Sequence, residues 1–514
     1  MVAGVAAGLA HPPFGLLPGL LGYGLMMLMA ETQGPRPLRS AFFRGWLAGV
    51  GYFAVGVWWI TEAFLVDAAA HGWMAPFALL LMAGGLALFW GLAGLVYRLA
   101  GVRGPWRALV FAGALSLLEW VRAHIFTGFP WNLPGETWRA GGAVSQFAAV
   151  VGPYGLSWLT LALAASFAML LDAGSLRRRL LAPGLALGVL AALVVFGTVR
   201  LSGAPAPRPD APLVRIVQAD IDQKDKWKPE NLDAIIDAYV TLSQGKPGDP
   251  APQIIVWPEG ALPAVIDDLL APGSPYLGRF AAVAAPGQTL LLGANRVEIG
   301  AGGDADYFNS LVALRGEPEG FRVTGVYDKH RLVPFGEFLP FGDLATRLGI
   351  RSLVHMPEDF TAGPPPRPLS PQGLPPLQPL ICYEALFPRF AENAARRLGV
   401  RPQWLLNVSN DAWFGATSGP WQHLNIASYR AIESGLPIIR ATPTGVSAVI
   451  DAQGRIMPNA ELALGKSGVI DARLPNFRPR TIYSFISETG FVMMLLLSLA
   501  IVGIRQLDRR IERN

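Results

Sequence analysis

Cys382 is the single cysteine of a 514-residue chain. It stands in Leu380-Ile381-Cys382-Tyr383-Glu384, after an apolar run that predicts a strand and before an amphipathic stretch that predicts a helix. A thiol attacks only as thiolate, so it requires a base, a cation or a helix N-terminus close by. Two other segments offer such groups after strand-like runs. One is Ile254-Ile255-Val256-Trp257-Pro258-Glu259; the other is Tyr327-Asp328-Lys329-His330-Arg331, which continues to Pro334-Phe335-Gly336-Glu337. Glu259 would take the thiol proton, Lys329 would stabilise a tetrahedral oxyanion and Cys382 would attack, which is acyl transfer through a thioester. Singly, each has an ordinary explanation. Glu259 after Trp-Pro suits a turn or cap, Lys329 beside His330 and Arg331 suits a solvated face, and Glu337 and Glu384 can balance neighbouring cations. Only the three segments together point to catalysis.

The elements that must position these residues lie between 201 and 487, after a Pro-rich linker at 203–212. Short β-branched runs at 213–218, 254–256, 289–293, 311–314, 377–381, 404–408, 438–440 and 447–450 predict strands, and 231–243, 387–398 and 423–434 predict helices. The alternation gives an α/β or α+β domain with one sizeable core, interrupted by a second Pro-rich loop at 363–376.

The rest of the chain is apolar. It is 52% hydrophobic and only 15% charged, against roughly 25% charged in ordinary soluble domains, and its mean hydropathy is +0.36. Disordered and ordinary cytosolic classes are excluded. Apolar stretches at 45–66, 73–97, 106–121, 154–171, 180–199 and 490–504 predict transmembrane helices, with 12–30 a seventh and 1–10 part of a possible first helix. The domain partition is therefore 1–200 helical membrane region, 201–487 catalytic domain, and 488–514 closing helix with a basic tail. Arg36, Arg39 and Arg44, then Arg98, Arg103 and Arg107, then Arg177, Arg178 and Arg179, and finally the tail, all fall on one side. The positive-inside rule makes that side cytoplasmic and puts the catalytic domain outside the cytoplasm. The formal charge of +5 is then largely topological, and a nucleic-acid partner is not expected. Glu119, near the end of its span, reads either as functional or as snorkelled to the interface. Phe129-Pro130-Trp131-Asn132 reads as an interfacial aromatic belt or a lipid contact. The six histidines are scattered and no P-loop occurs, so neither metal nor cofactor is expected.

Pro258-Glu259, Asp328-Lys329 through Glu337, and Cys382-Tyr383-Glu384 resemble the Glu–Lys–Cys signature of the nitrilase (carbon–nitrogen hydrolase) superfamily. The resemblance implies an αββα sandwich. Joined to an N-terminal multispan region and one closing helix, the motifs resemble the apolipoprotein N-acyltransferase family over nearly the whole chain. Agreement extends to Val217-Gln218, Lys226-Trp227, Asn309-Ser310, 407–413 and 440–449. The resemblance implies a bacterial inner-membrane enzyme with a periplasmic catalytic domain, acting as a monomer. Its acyl donor would be a phospholipid, typically phosphatidylethanolamine, and its acceptor a diacylated apolipoprotein. Glu259 carries over as general base, Lys329 as oxyanion stabiliser and Cys382 as nucleophile, with Trp227, Glu337, Tyr383 and Glu384 supporting them or contacting substrate. Rival readings are a membrane-tethered amidase that passes the acyl group to water, and a transporter or scaffold with a degenerate outer domain.

Overall fold

The computed structural model describes residues 1–203, 206–245, 248, 250–300, 303–339 and 359–511. The chain divides into two compact units, one of Met1–Ala204, Thr417–Glu433 and Arg480–Asn514, the other of Pro205–Ala416 and Ser434–Pro479. The helical unit thus takes in most of the helix Gly419–Ser434, which the chain inserts between two strands of the other unit.

Among the described residues of the helical unit, Ala68–Ala100, Val144–Leu171, Leu176–Ser202 and Thr489–Leu507 are long and apolar enough to cross a membrane. Pro37–Gly56 with Trp58–Phe64, bent by 55°, makes a fifth if the pair is one span. That is fewer than the seven or eight expected, for identifiable reasons. A turn at residues 11–14 separates Val2–Leu9 from Leu17–Leu20 and Leu21–Glu31, so each piece is short. Arg107–His124 carries Arg107, Glu119 and Arg122 inside an otherwise apolar helix. The stretch read as 45–66 breaks at Gly56, whose carbonyl accepts from the indoles of Trp59 (3.1 Å) and Trp131 (3.2 Å) in place of the next turn.

Glu119 does not snorkel. It is fully buried, accepts from Trp90 Nε1 at 2.8 Å and pairs with Arg122 at 2.5 Å. Arg122 in turn donates to the carbonyls of Phe129 and Trp131, so the ion pair holds the aromatic loop in shape. Trp131 is buried, stacks with Phe129 and bonds Gln422 at 3.0 Å, which makes it a packing anchor.

The second unit is built on two sheets. The first contains β1 (Leu213–Gln218), β2 (Ile254–Trp257), β3 (Thr289–Ile299), β4 (Ala305–Glu317), β5 (Gly320–Asp328) and, at its far edge, β11 (Gly468–Arg473), in the order β11-β1-β2-β3-β4-β5. The second runs β10-β9-β8-β7-β6, formed by β6 (Leu377–Ile381), β7 (Trp404–Val408), β8 (Ile438–Ala441), β9 (Ser447–Ile450) and β10 (Ile456–Leu462). Each sheet has three neighbouring parallel strands, β1, β2 and β3 in one and β6, β7 and β8 in the other, and two antiparallel steps through β4 leave β5 running in the same direction as β3.

Alternation along the strands makes the layers. Ile254 and Val256 of β2 join Val214, Ile216, Leu291 and Leu311 against Ile381, Trp404, Leu406, Val408 and Ile439 of the other sheet. The intervening Ile255 and Trp257 face outward and pack under Ile235, Ile236 and Tyr239 of the helix Leu232–Gln244 and Phe280 of the helix Leu277–Val283. The result is the expected sandwich of sheets and helices. Replacing the fully buried Leu291 by alanine would leave a hole between the sheets costing about 2–5 kcal/mol. The expected outcome is a lower melting temperature of the detergent-solubilised protein; an unchanged one would show that the two sheets do not form one core.

Candidate active site

Strands that run in one direction end at one edge, and each motif residue comes just past the end of such a strand. Glu259 follows β2, Lys329 follows β5 and Cys382 follows β6. Lys329 is held there by its neighbour: Asp328 accepts from Ser310 Oγ (2.6 Å) and from Arg296 (3.0 and 3.1 Å), while Lys329 N donates to the Asn309 carbonyl at 2.8 Å.

Three of the sequence-derived residues meet directly. The buried Lys329 ammonium lies 2.8 Å from Glu337 and 3.3 Å from Glu259. Asn309 Nδ2 donates to both carboxylates, at 2.7 Å to Glu259 and 2.8 Å to Glu337, and Val333 N donates to Glu337 at 2.8 Å. Glu259 receives a further backbone bond from Asn410 N at 2.5 Å. Burial works against the Lys329 charge, but Glu337 and Glu259 outweigh it and hold the ammonium above the ordinary lysine value.

Cys382 is coupled electrostatically to both Glu259 and Lys329. It has a left-handed backbone, φ 46°, and opens a 3-10 turn, Cys382–Leu386, rather than the helix predicted to begin at 387. Phe387 is extended and Arg389 left-handed, so the α-helix starts only at Phe390. The strained turn lifts the thiol out of the strand. Burial, then the Glu259 charge, push the thiol above its usual value, with Lys329 opposing them.

Glu384 is placed differently. Its buried carboxylate accepts from Tyr327 Oη (2.9 Å), His330 N (2.8 Å), Arg331 N (3.2 Å) and Ile381 N (2.9 Å). It therefore ties the Lys329 segment to the Cys382 turn, and burial raises it to about 7. Tyr383 packs edge-on against Phe387. Trp227 lies beside Lys226, whose Nζ is 5.7 Å from the indole ring centroid. Lys226 bonds the carbonyl of Gly260, next to Glu259, and burial lowers it to about 8. Sequence reasoning passed over Asn309, Ser409, Asn410, Asp411 and Arg440 as site residues; the signal was present in the Asn-Val-Ser-Asn-Asp run at 407–411 that closes β7. Among the described residues no cluster of metal-ligating groups occurs.

Two sheets under helices, with a carboxylate, a lysine, a second carboxylate and a cysteine gathered at their strand ends, define a carbon–nitrogen hydrolase domain, here carried on a chain with apolar helices of membrane-spanning length. The carbon–nitrogen hydrolase family model matches residues 213–477, and the model of the apolipoprotein N-acyltransferase N-terminal domain matches residues 3–166. An apolipoprotein N-acyltransferase of Caulobacter vibrioides is 55% identical over 97% of this chain and 92% of its own length. Those of Rhodopseudomonas palustris (38%, covering 98% and 94%) and Brucella melitensis (40%, covering 93% and 89%) are similar throughout. The chain belongs to the apolipoprotein N-acyltransferase family, and it is an acyltransferase of the membrane.

Gly293 on β3 offers a test of the site's rigidity. A Cβ there would stand 2.5 Å from the Pro258 carbonyl and 2.6 Å from Glu259 Cα, and neither backbone atom can give way without moving Glu259. Since misplacing a catalytic group by about 1 Å can cost about 10²-fold, Gly293→Ala is expected to lower acyltransferase activity on that scale with little change in expression. Activity equal to wild type would show that the Glu259 backbone position is not critical.

Proposed function

We propose that the protein transfers an acyl chain from a phospholipid to the α-amine of the S-diacylglyceryl cysteine that begins a bacterial apolipoprotein, by a ping-pong route through Cys382. The gathering of Glu259, Lys329 and Glu337 around one end of the sandwich, electrostatically coupled to the only thiol of the chain, carries this reading. Glu259 accepts the Cys382 proton as sulfur attacks the sn-1 ester of the donor, typically phosphatidylethanolamine. Lys329 stabilises the oxyanion. Collapse expels a lysophospholipid, which takes the proton from Glu259, and leaves the acyl group on sulfur. The incoming amine then gives its proton to Glu259 and takes the acyl group, and Glu259 passes that proton to the departing sulfur, restoring the thiol.

Glu337 keeps Lys329 charged, Glu384 positions the Lys329 and Cys382 segments, and Trp227 and Tyr383 contact substrate. Aromatic side chains on Trp227, at 335–341 and at Trp413 and Phe414 exclude water from the thioester; of these, Phe335 is 61% exposed, and 340–341 lie outside the described residues. The basic loops support a cytoplasmic C-terminus and a periplasmic catalytic unit, and the protein acts as a monomer without a cofactor. A single observation separates transfer from the amidase alternative. After exposure to phospholipid, intact-mass measurement is expected to show one acyl adduct on the wild type that clears on adding a diacylated lipopeptide, and none on Cys382→Ala. Glu259→Gln is expected to slow adduct formation by about 10²-fold or more. An unmodified wild-type mass, or release of free fatty acid without lipopeptide acylation, would overturn the assignment.

A further inference from the structure

Residue 309 is where the inner face of β4 turns from apolar to polar. Leu311 and Ala313 point between the two sheets, and alternation along the strand puts Asn309 on the same face. Asn309 is buried, and a buried carboxamide is costly unless it is hydrogen-bonded. The neighbouring strand fixes its backbone. Ser310 is in register with Asp328 of β5, and the next residue, Lys329, donates its N–H to the Asn309 carbonyl at 2.8 Å.

The side chain closes a ring with three charged groups. Asn309 Nδ2 lies 2.7 Å from Glu259 Oε1 and 2.8 Å from Glu337 Oε1, and Lys329 Nζ approaches the same two oxygens at 3.3 and 2.8 Å. An ammonium only donates, so both oxygens are acceptors, and the donor end of the carboxamide is the one that meets them. The other carboxylate oxygens take backbone N–H groups, Asn410 N at 2.5 Å for Glu259 Oε2 and Val333 N at 2.8 Å for Glu337 Oε2. Two carboxylates within reach of one nitrogen repel each other, and the common remedy is a proton shared between them. Here the two N–H groups of one amide stand in that place, and an amide proton does not transfer to a carboxylate.

We propose that Asn309 is a positioning residue that substitutes for a shared carboxylate proton, so that Glu259 enters the reaction able to accept the proton of Cys382. The inference rests on the reading of Glu259 as general base and adds what equips it for that role. The titratable groups facing Glu259 are Lys329 after β5, Glu337 beyond it, Cys382 after β6, and Lys226, whose Nζ bonds the carbonyl of the next residue, Gly260. Lys329 brings one positive charge against the two carboxylates it touches. With the amide removed, a proton bridging Glu259 and Glu337 relieves their repulsion. A Glu259 that already holds that proton cannot take another from sulfur, and the S–C bond then forms only in the fraction of molecules that have lost it.

Two variants of the full-length protein in detergent separate this role from packing. Asn309→Asp keeps the shape of the side chain and exchanges its N–H donors for a third carboxylate, whereas Asn309→Ala removes shape and donors together. Packing alone makes Asp the milder change; the donor role makes it the more severe. Exposed to phosphatidylethanolamine in micelles and followed by intact mass, Asn309→Ala is expected to form the Cys382 adduct about tenfold more slowly than wild type at neutral pH, and Asn309→Asp more slowly still. Both are expected to recover as pH rises, their rate profiles displaced upward by about one unit or more. A milder loss in Asp, or a deficit that pH does not change, would overturn the proposal. If Asn309→Ala fails to fold, recovery of the isosteric Asn309→Asp with pH decides alone. Infrared difference spectra read the proton without turnover. Asn309→Ala minus wild type is expected to show a protonated-carboxyl band at neutral pH that fades at higher pH and disappears when Glu337→Gln is added; no band, or one that persists, overturns the role. The expected band with no acyl adduct on the wild type would sink the acyl-enzyme reading and leave the role of Asn309 standing.

Discussion

One buried ammonium organises this site. Lys329 has its charge out of water, a state that is tolerated only with close, well-oriented partners. It has two, and their unequal distances matter. Glu337 makes the closer contact at 2.8 Å and has a backbone bond of its own from Val333, so it is committed to the lysine. Glu259, at 3.3 Å, shares the charge from farther away. Asn309 donates to both carboxylates and keeps them from separating. Moving a proton from Cys382 to Glu259 leaves the total charge around Lys329 unchanged. In the proposed mechanism the same cation therefore serves the resting state and the attacking thiolate.

This arrangement depends on the two sheets keeping their relative position. Glu259, Asn309 and Lys329 come from the sheet that holds β2, β4 and β5, while Cys382, the 409–411 turn and Arg440 come from the sheet that holds β6, β7 and β8. The apolar layer between the sheets sets their spacing, and polar links between them, two of which lie at the candidate site, set their register. Glu384 reaches from the β6 turn to Tyr327, His330 and Arg331, and Asn410 N reaches Glu259. A slip of one sheet against the other would separate Glu259 from Cys382.

The catalytic strands were readable in the sequence because each is a continuous apolar run buried on both faces. Leu377–Ile381, Trp404–Val408 and Ser447–Ile450 have the expected bounds, and Glu259 and Cys382 stand where charge or sulfur interrupts such runs. Strands β5, β10 and β11 escaped notice for the opposite reason: they are partly exposed, and β10 contains Pro458 and Asn459. Asn309, Asn410 and Ser409 contribute hydrogen bonds whose value exists only after residues distant in sequence have met, as at 309 and 259. Glu119 and Arg122 depressed the apolar signal of their helix while forming the ion pair that shapes the 129–131 loop, so composition and structure pulled in different directions there.

The two halves of the proposed reaction make opposite demands on one carboxylate. Thioester formation needs Glu259 ionised so that it can accept from sulfur, and aminolysis needs it ionised again to take a proton from an amine that is charged in water. Departure of the lysophospholipid alcohol with the first proton resets Glu259 between the two. No second base is then required; among the described residues Glu337 is held by Lys329, Asn309 and Val333, and Glu384 by four donors on the two segments it joins. Glu259 is thus the group whose bonds, to an amide, a backbone N–H and a shared lysine, leave it able to alternate.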